Sequence, residues 1–217
     1  MTMTSHILSI NCAKAVPFRK DESSAIAKHP VQGRRQVGLT GLMGDEQADL
    51  SVHGGPDKAI HHYPHGHYAW WRQELGGHPL LDRTGAFGEN VASNELDEHQ
   101  VCIGDRWRMG SALVEISQGR QPCWKLDHHF GIEGVLARMV ASRRTGWYYR
   151  VIEEGEVAGG DSLDLVARPF ENWSVAKVFG LLVGGDHKRD RASLEQLGQV
   201  TALAEPWVRR RAALLGA

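Results

Sequence analysis

The sequence predicts an α+β fold, mainly β, in which a small barrel or closed sheet is followed by a short helical segment. Three observations carry this. Most of the 25 Gly residues fall in the first two-thirds of the chain, punctuating apolar runs of strand length as tight turns between short strands do. Gly104-Asp105 and Met109-Gly110 are spaced around such runs in the manner of a closed sheet. At Arg168-Pro169 the pattern changes, and beyond it only helical spacing remains. A length of 217 residues accommodates one substantial domain with an appendage. The expected division is a β-rich domain over 1–168 and a three-helix domain over 169–217.

Taken in order, Ile7, Leu8, Ile10 and Cys12 make an opening strand, and Ala15 to Arg19 a second. Asp21 to Gly33 is polar and reads as an exposed loop. Residues 36–41 return to strand character, followed by a glycine- and acid-rich turn from Gly41 to Asp49. Adjacent Gly54 and Gly55, before Pro56 and Asp57, make a sharp bend whose free backbone N–H groups can receive an anion. Pro64 to Leu75 has helical spacing, with Tyr68, Trp71 and Leu75 on one face and Gly76-Gly77 as its end. Strands are expected at Phe87 to Val91, Val101 to Ile103, Arg106 to Met109 and Ala112 to Ser117. Trp124 to Phe130 is compatible with a helix. Ile132 to Arg144 is amphipathic, with Val135, Leu136, Met139 and Val140 facing inward. Trp147 to Ile152 and Ser162 to Val166 supply the last strands. Helices are then expected over 174–182, 193–199 and 206–215, with Ser193 as an N-cap and Pro206 at a first helical position.

Composition narrows the function classes. An apolar fraction of 41% and a charged fraction of 24% are ordinary for a globular protein. A formal net charge of -1 gives no whole-chain footprint for nucleic acid. No apolar run is long enough to span a bilayer, and residues 1–6 do not read as a signal peptide. The three cysteines, Cys12, Cys102 and Cys123, form no CxxC pair, which disfavours a disulfide frame or a structural zinc site. Reduced thiols and a cytoplasmic location are expected.

Two stretches could carry chemistry by themselves. In Arg120-Gln121-Pro122-Cys123-Trp124-Lys125, Cys123 falls where a strand gives way to a helix. The helix N-terminus and the flanking cations would favour its thiolate, a nucleophile or soft metal ligand. A buried structural cysteine accounts for this stretch equally well. The histidines between His53 and His67 suggest zinc, yet no H-E-x-x-H pattern is present and Pro64 interrupts the segment. Most of them read as surface or locally bonded histidines, with His53 and His61 less clear. In the tail, Arg209, Arg210 and Arg211 on the last helix also allow a helix-turn-helix reading, but a solvated helix face is the commoner origin of such a run.

In combination the motifs say more. Gly44-Asp45 through Asp49, His53-Gly54-Gly55-Pro56-Asp57-Lys58, Phe87-Gly88-Glu89-Asn90, Gly104-Asp105 and Arg120-Gln121-Pro122-Cys123 follow one another in a fixed order. This resembles a MOSC domain, the module named for the C-terminal part of molybdenum-cofactor sulfurases. Within that family the chain is most similar to the stand-alone bacterial YiiM type, in which the MOSC domain precedes a three-helix segment. The resemblance runs from about Ser5 through the tail. It implies a MOSC β-barrel-like domain holding the molybdenum cofactor in its molybdopterin form, with Cys123 as the molybdenum ligand. His53, Gly54, Gly55, Asp57 and Lys58 would line the pterin and phosphate, Arg120 would add charge, and Asn90 would hydrogen-bond the pterin or the substrate.

Stand-alone members are similar to enzymes that reduce N-hydroxylated compounds, including mutagenic base analogues such as 6-N-hydroxylaminopurine. Removal of the N–O oxygen as water consumes two electrons and two protons and leaves the amine. His53 or His61 would suit proton donation by its ordinary pKa. No iron–sulfur or nucleotide fingerprint is present, so a separate reductase protein is expected to donate electrons. The C-terminal helices offer it a docking place, or else form a lid. A non-catalytic cofactor carrier is the alternative function.

Overall fold

Seven strands close into a barrel in the computed structural model, which describes residues 3–19, 21–48 and 54–216. In chain order they are β1 (Thr4–Cys12), β2 (Ile60–Pro64), β3 (Val91–Ser93), β4 (Arg106–Met109), β5 (Ala112–Gly119), β6 (Trp147–Glu153) and β7 (Ser162–Ala167). Around the barrel they run β1-β3-β2-β6-β5-β4-β7, and β7 returns to β1 with Thr4 opposite Asp164. All these pairings are antiparallel except β2 with β3. A parallel pair needs a long crossover, and the β2–β3 connection contains the helix α1 (His67–Glu74).

Alternation along β6 sets the two sides of the wall. Trp147, Tyr149 and Val151 enter the core, while Tyr148 and Arg150 face the other way and are only partly covered. Strand β5 is buried along its whole length. Helix α4 (Val175–Leu182) packs against it, and its Val175, Val178 and Phe179 join one apolar cluster with Val114, Ile116 and Trp147. A second cluster, built on Tyr63, Tyr68, Trp71 and Phe87, is closed by α2 (Lys125–Phe130) and α3 (Val135–Ser142).

The last strand ends at Ala167 and α4 begins at Val175, with α5 (Arg191–Gln196) and α6 (Glu205–Gly216) completing the tail. The core continues across this junction, since Trp207 of α6 and Phe179 lie with their rings 6.4 Å apart within the barrel's own cluster. Buried Asp105 ties the two sides further. It accepts from Cys102 N at 2.8 Å and from Arg168 at 2.7 Å. Among the described residues no helix is long and apolar enough to cross a membrane.

Four local expectations are corrected. Residues 21–33 are not simply an exposed loop, because Glu22–Ser24 pairs with Val16–Arg19 and His29–Pro30 adds to β1. Ser24, Ala25 and Lys28 are buried there, which polarity alone conceals. Phe87 to Asn90 form a turn before β3 and not a strand, because the buried Glu89 carboxylate accepts from Gly85 N at 2.6 Å and Phe87 N at 3.0 Å. Around Val101 to Ile103 the only ladder contact among the described residues is a bridge between Cys102 and Ser174. The N-cap of α5 is Asp190, accepting from Ser193 N at 3.0 Å, so Ser193 is already inside the helix.

The tail arginines tie helices together. Arg210 donates to Leu182 O at the end of α4, and Arg211 donates to Leu194 O at 2.7 Å near the end of α5. Each guanidinium thus satisfies a carbonyl that its helix leaves without an internal partner. Arg209 pairs with Glu205 one turn earlier.

Candidate functional site

Cys123 stands at a junction that the barrel fixes on both sides. Strand β5 ends at Gly119, Arg120 N donates to Gly146 O at 3.0 Å, and Cys123 O accepts from Leu126 N at 3.1 Å as α2 begins. The chain therefore turns from strand to helix at Pro122-Cys123, and Cys123 is only partly covered. Two hollows meet at this residue. Lys58, Cys123 and Tyr148 line both.

The first hollow is open to solvent on one side and is lined by both apolar and charged side chains. Lys28, Lys58, Arg120 and Lys125 bring four cationic groups to its walls, against Asp45 and Glu46. Lys28 is neutralised locally, its Nζ lying 2.5 Å and 2.6 Å from the two oxygens of buried Asp45. Lys125 Nζ rests on Ser23 O at 2.9 Å, with Glu22 at 3.5 Å.

Arg120 differs. It is 6% exposed, its guanidinium contacts Met139 Sδ at 2.9 Å and the Tyr148 side chain, and no carboxylate among the described residues pairs with it. A buried guanidinium without a counter-charge is costly to keep. An anion in this hollow would remove that cost.

His61, which also lines this hollow, is buried, and its Nε2 has no hydrogen-bond partner among the described residues. Burial, followed by the Arg120 charge, holds its pKa well below the ordinary histidine value. The ring is neutral, so it does not supply the imidazolium that its usual pKa suggests. Its neighbour His62 points into the barrel with both nitrogens engaged, Nδ1 at 3.1 Å from Tyr149 Oη and Nε2 at 2.9 Å from Ser93 Oγ. His65 and His67 are bonded to Asn94 and Glu98. Among the described residues no three His, Cys, Asp or Glu side chains form a group that could hold a metal ion.

The remaining expected residues separate by position. His53 lies outside the described residues. Gly54 and Asp57 do not line the first hollow. Asp57 is instead anchored to Arg150 at 2.8 Å, while its carbonyl accepts from Ser117 Oγ at 2.5 Å. These bonds hold the bend that presents Lys58. Gly55 has φ +90, a backbone that other residues rarely adopt, and it borders an adjoining cavity that shares Asp45, Glu46 and Gln47 with the first. Asn90 lines the hollow with its amide already used. Its Nδ2 donates to Asn11 O at 3.2 Å and Asp45 Oδ2 at 2.8 Å, and its Oδ1 accepts from His61 N at 3.1 Å.

In Phe87-Gly88-Glu89-Asn90, Glu89 is the organiser. Tyr68 Oη donates to it at 2.5 Å, and burial raises its pKa above the usual carboxylate range. Gly88, at φ +75, lets the turn lie against Ile26, where an added Cβ would come to 3.1 Å of Ile26 Cγ1. Cys12 and Cys102 are buried away from these walls, and burial with the nearby Asp105 pushes Cys102 up to about 11. Sequence reasoning missed Lys28, Tyr148 and Gln118. The strand partner of Tyr148 is Gln118, and only the sheet register brings them to one face.

Comparison with known proteins adds a family. The pattern described as MOSC domain matches residues 49–164. The chain is 41% identical to Protein YiiM of Escherichia coli (strain K12) over 161 residues, 74% of this chain and 72% of that protein. It is 40% identical over 157 residues to a protein named Reductase from Gibberella moniliformis, covering 72% of this chain but only 28% of that one. The crystal structure of YiiM from Geobacillus stearothermophilus superposes with a TM-score of 0.82 at 32% identity, covering 97% of this chain and 99% of that one.

Proposed function

The chain belongs to the MOSC-domain family, and on that premise we propose that it is a molybdenum-cofactor-dependent reductase of N-hydroxylated compounds. The observation that carries this reading is buried Arg120, without a carboxylate partner among the described residues, in one cation-lined hollow with partly exposed Cys123. The residues present fit a group with a soft metal and a phosphate. A thiol suits the metal, and Arg120, Lys58 and Lys125 suit a phosphate, Arg in a bidentate manner. When bound, the molybdenum centre supplies the two-electron exchange that frees the amine from its N–O oxygen.

The chain's own groups bind, shield and donate. Cys123 would hold the metal through its thiolate. Phe87 and Ile26 supply apolar wall to the same hollow, limiting water around the site. Arg120 donates to the Tyr148 oxygen, the hydroxyl hydrogen meets no acceptor among the described residues, and burial raises the Tyr148 pKa so that this proton stays in place. Tyr148 Oη is therefore the group able to donate a hydrogen bond to the departing oxygen. The reaction consumes two electrons and two protons per amine and water formed, with a separate reductase protein as electron source. The similarity to a protein named Reductase supports the redox class.

The test is metal analysis of protein made in cofactor-competent and cofactor-deficient hosts, followed by turnover of an N-hydroxylated base with a chemical reductant. Stoichiometric molybdenum and amine formation are expected only from the competent host. Molybdenum without turnover would favour the carrier function, and protein free of molybdenum from both hosts would end both readings.

A further inference from the structure

The second hollow at Cys123 has a different chemistry from the first, and the proposed cofactor does not account for it. It lies between the barrel wall and the C-terminal helix and is open to solvent on one side. Beyond the three shared residues, its walls are Gln118, Gln121, Pro122, Pro206, Trp207 and Arg210. Rings and amides dominate here. Gln118 is 2% exposed and its Oε1 has no hydrogen-bond partner among the described residues, while its Nε2 makes only a long 3.4 Å bond to Gly119 O.

A buried acceptor left unpaired costs about 1–3 kcal/mol, and such groups in folded proteins call for an explanation. The surrounding structure keeps this one in place. Gln118 pairs across the sheet with Tyr148, so both side chains lie on the same outer face of the barrel. Trp207 also lines the hollow, and an added Cβ at Gly119, which pairs with inward-facing Trp147, would come to 3.0 Å of the Trp207 ring. Ala204 N donates to Ser117 O at 3.0 Å and fixes the start of α6 over the strand.

We propose that this second hollow is the substrate chamber, and that Gln118 Oε1 is a specificity determinant accepting a hydrogen bond from an N–H group of the substrate. The inference rests on the proposed reductase activity and deepens it. Planar N-hydroxylated compounds bearing a ring or exocyclic N–H are selected, with the N–O group directed toward Cys123 and the ring between Pro206, Trp207 and Tyr148. Compounds without an N–H donor leave the Gln118 carbonyl unpaired and are disfavoured. The C-terminal helix is on this account a wall of the active site.

Two variants and two readouts test it. Gln118→Met keeps the volume and removes the acceptor. It should raise KM for an N-hydroxylated adenine base about tenfold, leaving kcat, molybdenum content and KM for hydroxylamine, too small to span the chamber, near those of the unaltered protein. Equilibrium dialysis with adenine, the product amine, should show the same tenfold weakening. Pro206→Trp fills the chamber from an exposed position and should abolish reduction of the base at normal molybdenum content, which serves if Gln118→Met fails to fold. Unchanged KM and unchanged adenine binding in Gln118→Met, or full activity in Pro206→Trp, overturns the proposal. Absence of molybdenum or turnover in the unaltered protein counts against the reductase reading, and adenine dialysis then still decides the chamber.

Discussion

The two sides of Cys123 are built by different means. On one side, loops and turns deliver charge. Lys28 comes from the segment between the Glu22–Ser24 strand and His29, Lys58 from the glycine bend, and Lys125 from the first residue of α2. On the other side, regular elements deliver rings and amides, Gln118 and Tyr148 from paired strands and Trp207 from α6. Loops can approach a ligand with backbone and charge together, whereas strands and helices fix planar side chains with little freedom. A bound anionic group and a variable planar compound need those two kinds of wall respectively.

Removing the charge on the loop side should give the largest effect. Arg120→Leu eliminates a buried cation that has no carboxylate partner among the described residues. Molybdenum content measured by metal analysis should fall at least about tenfold, consistent with loss of a charge-assisted contact of about 1.5–3 kcal/mol, while thermal stability stays level or rises. Retention of full molybdenum would show that the cation side is ordinary surface.

Two predictions of about 2 kcal/mol concern how the walls are held. Glu89→Gln removes the carboxylate that gathers Tyr68 Oη, Gly85 N and Phe87 N. Urea unfolding should show a loss of about 2 kcal/mol, with the turn at Gly88 loosened. His62 tests the barrel interior. Burial depresses its pKa from 6.5 to about 3, so between these values the unfolded chain binds a proton that the folded one does not. The stability it supports is complete above pH 6.5 and is lost as pH falls toward 3. Between pH 6.5 and 5 the loss should be about 2 kcal/mol from this group. His62→Gln should flatten that slope in unfolding curves measured across the same range, and an unaltered slope would contradict the assignment.

A smaller change should separate the walls again. Gly119→Ala places a methyl group 3.0 Å from the Trp207 ring and 3.2 Å from Val175 Cγ1. A destabilisation of about 1–3 kcal/mol is expected from overpacking, with KM for a planar substrate raised and molybdenum content kept. An equal loss of molybdenum would mean that the two hollows work as one.

Much of this arrangement is legible in the sequence because it is local. The strand-to-helix turn at Cys123 follows from Ala112 to Ser117 on one side and Trp124 to Phe130 on the other. The helix before Gly76-Gly77 follows from Tyr68 and Trp71. Lys28 was hidden because its burial depends on Asp45, which the chain places next to it only by folding. Tyr148 and Gln118 were hidden because sheet register, and not spacing, makes them neighbours. Phe87-Gly88-Glu89-Asn90 looked like a strand by composition, but Glu89 draws backbone amides into a turn that no period reports. His61 and His62 alternate in facing, as strand geometry dictates. Which of them has a free nitrogen depends on Ser93 and Tyr149.

The most direct test of the central claim is X-ray absorption at the molybdenum edge, comparing the unaltered protein with Cys123→Ser, both produced in a cofactor-competent host. With Cys123 as ligand, the variant should show one sulfur scatterer fewer around the metal and lose turnover. An identical sulfur count in the two proteins would contradict the account.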